Sequence, residues 1–349
     1  MNHATRRPFL LAGALCLSTF SGTWATADGP DYYRVRGVTV AKALDFRAEP
    51  RTDAAGIGRI PADAQCLRNL GCQGGLSFEE FSTLSAEETQ RRLTANPRWC
   101  KVDYQGTIGW VEGRFLAEGK CAAAVDPPDR RAEKVRFAEG ATSTVIKARL
   151  KGYQYVDYRL PAGAGQTLNV SLKASNLQNY FNVNPPGTDV SMFVGSTSGN
   201  NFQAISPTDG EYTIRVYLMR PAARRNESSN YALRIAVTGK PLTAVPATKD
   251  AVIPGTPFHA SATIACKQDI DAKQQECDAF VIRRAFDGTA TVEIRQTNGF
   301  NRRILFVKGN PVASDSQFEL TFSRKGDLSI VNLGNDERYE IPDALVVGG

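Results

Sequence analysis

The sequence predicts an all-β protein of three small domains that follow a signal peptide. Apolar residues recur at every second position along most of the chain. Turn-forming residues interrupt this alternation roughly every eight to twelve positions, which is typical of short antiparallel strands. Two stretches, 119–133 and 239–257, are rich in Pro and Ala, have no such period, and are interpreted as linkers. They divide the chain into predicted domains at 28–120, 134–238 and 258–349.

The composition is that of a globular protein with a mild basic excess. Lys and Arg number 42 and Asp and Glu 36 among 349 residues, for a net charge of +6, which gives no argument for nucleic-acid binding. Only two histidines occur, and His3 lies in the predicted leader, so His259 alone remains. A Ser-His-Asp hydrolase or a multi-histidine metal site would have to be built around that residue. We therefore expect no enzyme, no metal site, no cofactor and no nucleic-acid partner.

Residues 1–27 have the pattern of a secretory signal peptide. A basic pair at 6–7 precedes an apolar run at 9–20 and a small-x-small cleavage site at 25–27. The mature protein is expected to begin at Asp28, in the periplasm or outside the cell. The basic pair also fits a twin-arginine export signal, or it is the ordinary start of a general leader. No stretch approaches the length of a transmembrane segment.

The cysteine count predicts disulfides in an oxidising compartment. Removal of the leader leaves six cysteines, an even number, with no C-x-x-C spacing that would suggest a zinc ribbon or a redox motif. Six cysteines allow about 15 pairings, so spacing alone does not choose among them. We expect Cys72 to pair with Cys100 and Cys266 with Cys277. Cys66 and Cys121 then remain and could form a third disulfide, but the sequence does not establish that they pair.

The first predicted domain, 28–120, has short alternating strands and a tight turn at Gln105-Gly106. An insertion between its middle strands contains two capping boxes, beginning at Ser77 and Ser85, which predict two short helices. Over most of 36–118 the pattern resembles the bacterial SH3-like domain. The segments that carry this resemblance are 44–50, 58–60, 99–102, 106–111 and 115–116.

The SH3-like resemblance implies a module that binds peptidoglycan or its peptide stems in secreted bacterial proteins. Trp99, Tyr104 and Trp110 are the aromatic residues that would supply a binding groove. The alternative is that Trp99 and Trp110 are packed inside the small barrel, because large aromatic side chains are mostly buried. Both interpretations stay open at the level of sequence.

The middle segment, 134–238, predicts a β-sandwich or flattened barrel of about eight strands, with clean alternation in each strand. Its two most informative blocks are 151–158 and 209–216, and the second continues into an arginine-rich run at 220–226. These blocks and their spacing to Tyr231 resemble the periplasmic inhibitors of goose-type lysozyme over about 143–238.

This resemblance implies goose-type lysozyme as the partner. A lysozyme needs a protonated glutamic acid to protonate the glycosidic oxygen, and a neighbouring arginine would hold that carboxyl ionised. A loop or single turn would present Arg220 and Arg224 on one side. The expected partner-binding residues are Tyr153, Tyr155, Asp209, Gly210, Tyr212, Arg220 and Arg224.

Four of these positions have another interpretation or are in doubt as contacts. The arginines would equally fit a solvated loop that maintains solubility. Tyr212, beside a turn glycine, would equally be an anchor of the sandwich corner. The family favours Ser where this chain has Asp209, and a negative charge facing an acidic cleft would be repulsive.

The third predicted domain, 258–349, has hairpin patterns but no recognisable site. The leading hypothesis for the whole chain is an exported lysozyme inhibitor that an SH3-like module holds near the cell wall. The alternative is a cell-envelope scaffold that binds peptidoglycan and inhibits nothing. A peptidoglycan hydrolase is disfavoured, because no segment has a catalytic signature.

Overall fold

The computed structural model describes residues 29–39, 42–119, 121, 130–296 and 299–348. It confirms the predicted fold class, because nearly all regular structure is β. The chain divides into two compact units, residues 1–120 and 121–349. The predicted signal peptide, its cleavage site and most of the first predicted linker lie outside the described residues.

The first unit is one antiparallel sheet with two short helices in its insertion. The sheet order is β3-β2-β6-β5-β4-β1-β7. Both predicted helices begin where expected: Ser77 and Glu80 form a complete capping box, whereas Ser85 alone caps the second helix. The elements are β1 (Tyr32–Val35), β2 (Leu44–Arg47), β3 (Gly56–Ile60), β4 (Leu67–Gln73), α1 (Phe78–Thr83), α2 (Ala86–Ala95), β5 (Trp99–Tyr104), β6 (Thr107–Glu112) and β7 (Leu116–Glu118).

The β5–β6 connection shows how the sequence specifies a hairpin. Gln105 and Gly106 both have positive φ, 51° and 85°, as a two-residue turn that follows the strand twist requires. The Asp103 carboxylate accepts a hydrogen bond of 3.0 Å from the Gly106 amide and closes the turn. The turn therefore sets the register in which Trp110 lies opposite Lys101.

The second unit begins with a two-layer structure, which we call the sandwich. A five-stranded sheet, β13-β12-β15-β10-β8, faces a four-stranded sheet, β14-β11-β16-β9, across an apolar core. Its elements are β8 (Arg130–Lys134), β9 (Ser143–Lys151), β10 (Tyr155–Ala162), β11 (Thr167–Ala174), β12 (Asn179–Asn184), β13 (Phe193–Val194), α3 (Gly195–Ser198), β14 (Asn201–Ile205), β15 (Gly210–Leu218), α4 (Arg220–Arg224) and β16 (Ser228–Thr238).

The same unit continues into an eight-stranded antiparallel sheet, which we call the C-terminal sheet. Its order is β21-β20-β19-β18-β17-β24-β23-β22, and a short helix packs on its apolar face. The elements are β17 (Ala260–Lys267), β18 (Gln275–Arg283), β19 (Ala290–Arg295), β20 (Asn301–Val307), β21 (Asn310–Ser314), β22 (Leu320–Lys325), β23 (Leu328–Leu333), β24 (Glu337–Pro342) and α5 (Asp343–Val347).

The segment between the sandwich and the C-terminal sheet is tied to both. The Leu242 amide bonds to Ala164 of the sandwich, and the Val245 amide bonds to Arg283 of β18. His259, the single histidine after the leader, is buried and bonds through Nε2 to the Val245 carbonyl at 2.8 Å. The predicted linker at 239–257 is therefore packed against its neighbours at these points.

The predicted disulfides Cys72–Cys100 and Cys266–Cys277 are confirmed. Cys66 and Cys121 are also disulfide-bonded, so three cysteine pairs are present. Among the residues that the structure describes, no helix is both long and apolar enough to cross a bilayer.

Candidate functional site

The predicted partner-binding residues lie at two opposite ends of the sandwich. Strands β10 and β15 run antiparallel, with Tyr155 opposite Tyr217 at one end and Ala162 opposite Gly210 at the other. With a strand rise near 3.3 Å per residue, these ends are roughly 25 Å apart. Tyr153, Tyr155, Arg220 and Arg224 belong to the first end, which we call the arginine end (residues 152–155 and 219–227). Asp209, Gly210 and Tyr212 belong to the second, which we call the turn end (residues 206–212).

The arginine end is held together by a close approach of two chain segments. The Gly152 amide donates a hydrogen bond of 2.8 Å to the Glu227 carbonyl. Gly152 has a φ of 58°, and a Cβ at this position would lie 2.8 Å from the Asn226 Oδ1 atom. The positive φ favours glycine here, and a larger residue would also force the Asn226 side chain to shift. The turn that carries Tyr153, which is 38% exposed, is thereby fixed beside α4.

Helix α4 presents its two predicted arginines differently. A proline at the start of the helix suits its first turn, where the missing N–H costs no hydrogen bond. Arg220 is exposed, whereas Arg224 is only 2% exposed and is buried together with Ala222 and Ala223. The segment predicted as a loop or single turn is a single helical turn, and the expectation that it presents both guanidinium groups is wrong. Its exposed cation is Arg220, and Arg224 belongs to the face by which α4 packs on the sandwich.

Tyr155 lies on the outer face of the five-stranded sheet in an aromatic and basic setting. The Arg215 guanidinium lies 4.6 Å from the centre of its ring, within cation–π distance. Tyr155, Tyr217 and Tyr180 are neighbours across β10, β15 and β12, so their rings share one face of the sheet. This face adjoins the arginine end, and it combines the tyrosine and arginine side chains that are enriched in protein interfaces.

The orientation of Arg215 is set by Asp157, a residue that sequence reasoning did not single out. Asp157 has no exposed surface, and its carboxylate accepts two hydrogen bonds from Arg215, of 2.7 and 3.0 Å. Arg130 adds an ion pair at 3.2 Å. Burial alone would raise the pKa of Asp157, but Arg215 and Arg130 outweigh it and hold this pKa below its usual range. The sequence feature that could have indicated this ion pair is the presence of one acidic residue, Asp157, in the first informative block and one basic residue, Arg215, in the second.

Asp157→Asn is expected to lower the stability of the second unit by about 1–3 kcal/mol at pH 7, the usual loss for hydrogen bonds to a charged group. Because the pKa is lower in the folded state, the carboxylate stabilises the fold above its unfolded pKa, near 3.9. That contribution is lost as the pH falls through the folded value. Urea titrations at several pH values should therefore show the gap between variant and wild type narrowing below about pH 4.

The control for this experiment is Glu133→Gln, which neutralises a carboxylate on β8 that is about half exposed and faces Arg131 at 3.8 Å. It should change stability little at any pH. A gap for Asp157→Asn that stays constant from pH 7 to pH 3 would contradict the ionised, arginine-paired state of Asp157.

The turn end is occupied by contacts within the protein. Tyr212 is fully buried, and its hydroxyl donates to the Thr208 carbonyl at 3.0 Å and contacts Ser206 Oγ at 2.7 Å. Burial raises the pKa of Tyr212 to about 12, so its hydroxyl stays protonated. Of the two roles left open by the sequence, this geometry is that of a corner anchor. At Gly210, with a φ of 144°, a Cβ would lie 2.6 Å from the Pro186 ring.

Asp209 links the sandwich to the C-terminal sheet. Its Oδ1 accepts the Ala164 amide at 2.9 Å, and its Oδ2 pairs with Arg284 at 2.8 Å. The Arg284 side chain is fully buried and also donates to the Leu242 carbonyl. The negative charge that would be repulsive in an acidic cleft therefore has a cationic partner within the chain.

The three aromatic residues predicted in the first unit are not brought together on one face. Tyr104 packs against the apolar core, whereas Trp99 and Trp110 stand on the other face of β5 and β6, outside the core cluster. Trp99 is nearly buried, and it lines a cleft of about 700 Å³ together with Lys42, Arg47, Arg59 and Arg114. Trp110 is half-buried, with the Lys101 ammonium 5.9 Å from its ring. Both carboxylates in the cleft, Asp45 and Glu112, are paired with arginines.

Comparison with known proteins identifies the relatives of this chain. No family model matches it. An inhibitor of g-type lysozyme from Escherichia coli strain K12 is 30% identical over 106 residues, which are 30% of this chain and 78% of that protein. The crystal structure of PliG from Aeromonas hydrophila, a periplasmic inhibitor of g-type lysozyme, is 30% identical and covers 32% of this chain and 99% of its own, with a TM-score of 0.29.

A second solved structure is also similar to part of this chain. The structure of a mutant of PliG from Escherichia coli is 28% identical and covers 31% of this chain and 98% of its own, with a TM-score of 0.26. The similarity thus extends over nearly a third of this chain and over most of each relative. On the identity and coverage of the curated relative, this chain belongs to the family of inhibitors of g-type lysozyme.

Proposed function

We propose that this protein is a periplasmic inhibitor of g-type lysozyme that acts through the arginine end of its sandwich. The observation that supports the proposal is the placement of Tyr153, Tyr155 and the exposed Arg220 together at one end of the sandwich. The similarity of the chain to an inhibitor of g-type lysozyme supports the choice of partner.

The chemistry of the partner explains why an arginine and tyrosines suit this role. A lysozyme works only while its general-acid carboxyl is protonated in the cleft. A guanidinium beside that carboxyl stabilises the ionised form and lowers its pKa. The tyrosine rings would fill the space that the sugar occupies. Inhibition thus combines exclusion of substrate with loss of the catalytic proton.

The test is an inhibition assay of the mature chain against purified lysozymes of the goose, chicken and invertebrate types, with cell-wall turbidity as the readout. Inhibition of the goose type is expected. A protein that inhibits none of them would contradict the proposal and favour the alternative of a non-inhibitory envelope scaffold. Turbidity loss caused by the protein alone would instead indicate a hydrolase.

We also propose that the first unit is an SH3-like module for association with the cell wall. The support is its resemblance in sequence and the cleft beside Trp99, whose lining has four cationic and two anionic side chains. An excess of cations suits the carboxylates of peptide stems in peptidoglycan.

Removal of residues 28–120 is expected to leave inhibition in solution within about twofold of the full chain, a change of under 1 kcal/mol. The reason is that the arginine end is built wholly from the second unit. Binding to sedimented peptidoglycan should fall in the same variant. The sandwich is better tested together with the C-terminal sheet than alone, because Arg284 and the 239–257 segment join them. Loss of inhibition by a variant that remains folded would contradict this modular arrangement.

A further inference from the structure

The loop between β11 and β12 displays an apolar side chain at the surface. Leu177 is 87% exposed, the largest exposed fraction among the large hydrophobic residues that the structure describes. Single exposed apolar residues are common on protein surfaces and by themselves indicate nothing. The position and the rigidity of this loop distinguish Leu177.

The loop is held by hydrogen bonds on both sides of Leu177. The Asn176 Oδ1 atom accepts the Gln178 amide at 2.9 Å, and its Nδ2 donates to Glu227 at 2.8 Å. The Ser175 amide bonds to the Asn230 carbonyl at 2.9 Å. The leucine is therefore presented by an ordered backbone, so a partner that buries it would pay little ordering entropy.

The same loop is joined to the arginine end. The Met219 amide donates a hydrogen bond of 2.8 Å to the Gln178 carbonyl. Leu177 is the neighbour of Gln178 in the chain, and Arg220 is the neighbour of Met219. An apolar side chain and a cation therefore lie on two adjacent segments. The Glu227 carboxylate, which accepts the hydrogen bond from Asn176 Nδ2, also forms an ion pair with Arg225 at 2.6 Å. Helix α4 and the 175–178 loop therefore form one continuous surface.

We propose that Leu177 is a second contact of the lysozyme-binding surface, inserted into an apolar pocket of the enzyme beside the carboxylates that Arg220 meets. This inference rests on the proposed function and adds to it a residue that determines affinity and specificity. An exposed leucine gains free energy only when a partner buries it. The pairing of a leucine with an arginine fits a partner whose cleft has both an acidic and an apolar wall.

The test measures inhibition constants for Leu177→Ala and Leu177→Met against goose-type lysozyme. Leu177→Ala is expected to weaken inhibition about tenfold or more, and Leu177→Met to retain most of it, because methionine keeps the apolar volume. The melting temperature should not change, since the side chain is exposed in the free protein. Val145→Ala is the matched control, because Val145 is 52% exposed on β9, away from the arginine end.

Each outcome separates the two proposals. An inhibition constant within twofold of wild type for Leu177→Ala, with strong loss for Arg220→Ala, would overturn the role of Leu177 and leave the proposed function intact. Absence of inhibition by the wild type would overturn both. Leu177 could instead contact a second copy of this chain, and sedimentation of the protein alone tests this alternative. A dimer that Leu177→Ala abolishes would assign the leucine to self-association and overturn the inference.

Discussion

Arg220→Ala is expected to weaken lysozyme inhibition by roughly thirtyfold or more, because truncating one partner of a desolvated charge pair typically costs about 2–5 kcal/mol. The melting temperature should stay near that of the wild type, since Arg220 is exposed at the start of α4. Inhibition constants and thermal unfolding of the same preparations provide both readouts.

Arg225→Ala is the matched control for this experiment. Arg225 follows the same helix and is exposed, but it pairs with Glu227 at 2.6 Å, and such surface pairs are worth about 0–1 kcal/mol. Equal inhibition by wild type, Arg220→Ala and Arg225→Ala would show that the exposed arginine of α4 is surface charge only.

Arg224→Ala should behave differently from Arg220→Ala. Its side chain is 2% exposed and packs with Ala222 and Ala223, so truncation leaves a gap beneath the helix. We expect lower stability together with weaker inhibition, because α4 positions Arg220. The sequence predicted the same binding role for Arg220 and Arg224, but the two alanine variants are expected to differ in their effect on stability.

Arg284→Ala is expected to reduce the stability of the second unit by about 2–4 kcal/mol while leaving inhibition nearly unchanged. The substitution removes a fully buried side chain that bonds to Asp209, Thr291 and the Leu242 carbonyl. Thr291 in turn donates to the Pro207 carbonyl at 2.8 Å, so the loss extends along the contact between the sandwich and the C-terminal sheet. Denaturant unfolding measures the free energy of unfolding of the second unit. It also shows whether the sandwich and the C-terminal sheet unfold in one transition or in two.

Lys325→Ala, at an exposed position on β22, is the control and should change stability by less than about 0.5 kcal/mol. Inhibition by Arg284→Ala should stay close to wild type, because the substituted contact is at the turn end, roughly 25 Å from the arginine end. Strong loss of inhibition by a folded Arg284→Ala variant would show that the turn end contributes to lysozyme binding.

Together the Arg220 and Arg284 variants distinguish residues that bind the lysozyme from residues that stabilise the fold. The first should lose inhibition and keep stability, and the second should do the reverse. The same reasoning assigns a structural role to Asp209, which pairs with Arg284 of the C-terminal sheet.

The sequence by itself determined the local structure. Alternation of apolar residues located the strands of the sandwich, because a two-residue period follows directly from the geometry of an extended chain. Ser77 and Ser85 marked two helix starts, since a cap needs only residues three positions away. The resemblance in two blocks of the middle segment led to the family that comparison supports.

Only the tertiary structure decided which residues share a surface. Asp209 and Arg220 are close in sequence, yet the strand between them, β15, carries them to opposite ends of the sandwich. Tyr153 and Arg220 are far apart in sequence, yet Gly152 and Glu227 bring their segments into contact. Strand pairing sets these distances, and pairing depends on long-range contacts that no local pattern encodes. Leu177 shows the same principle: its exposure and its place beside α4 exist only once β11, β12 and β15 have assembled.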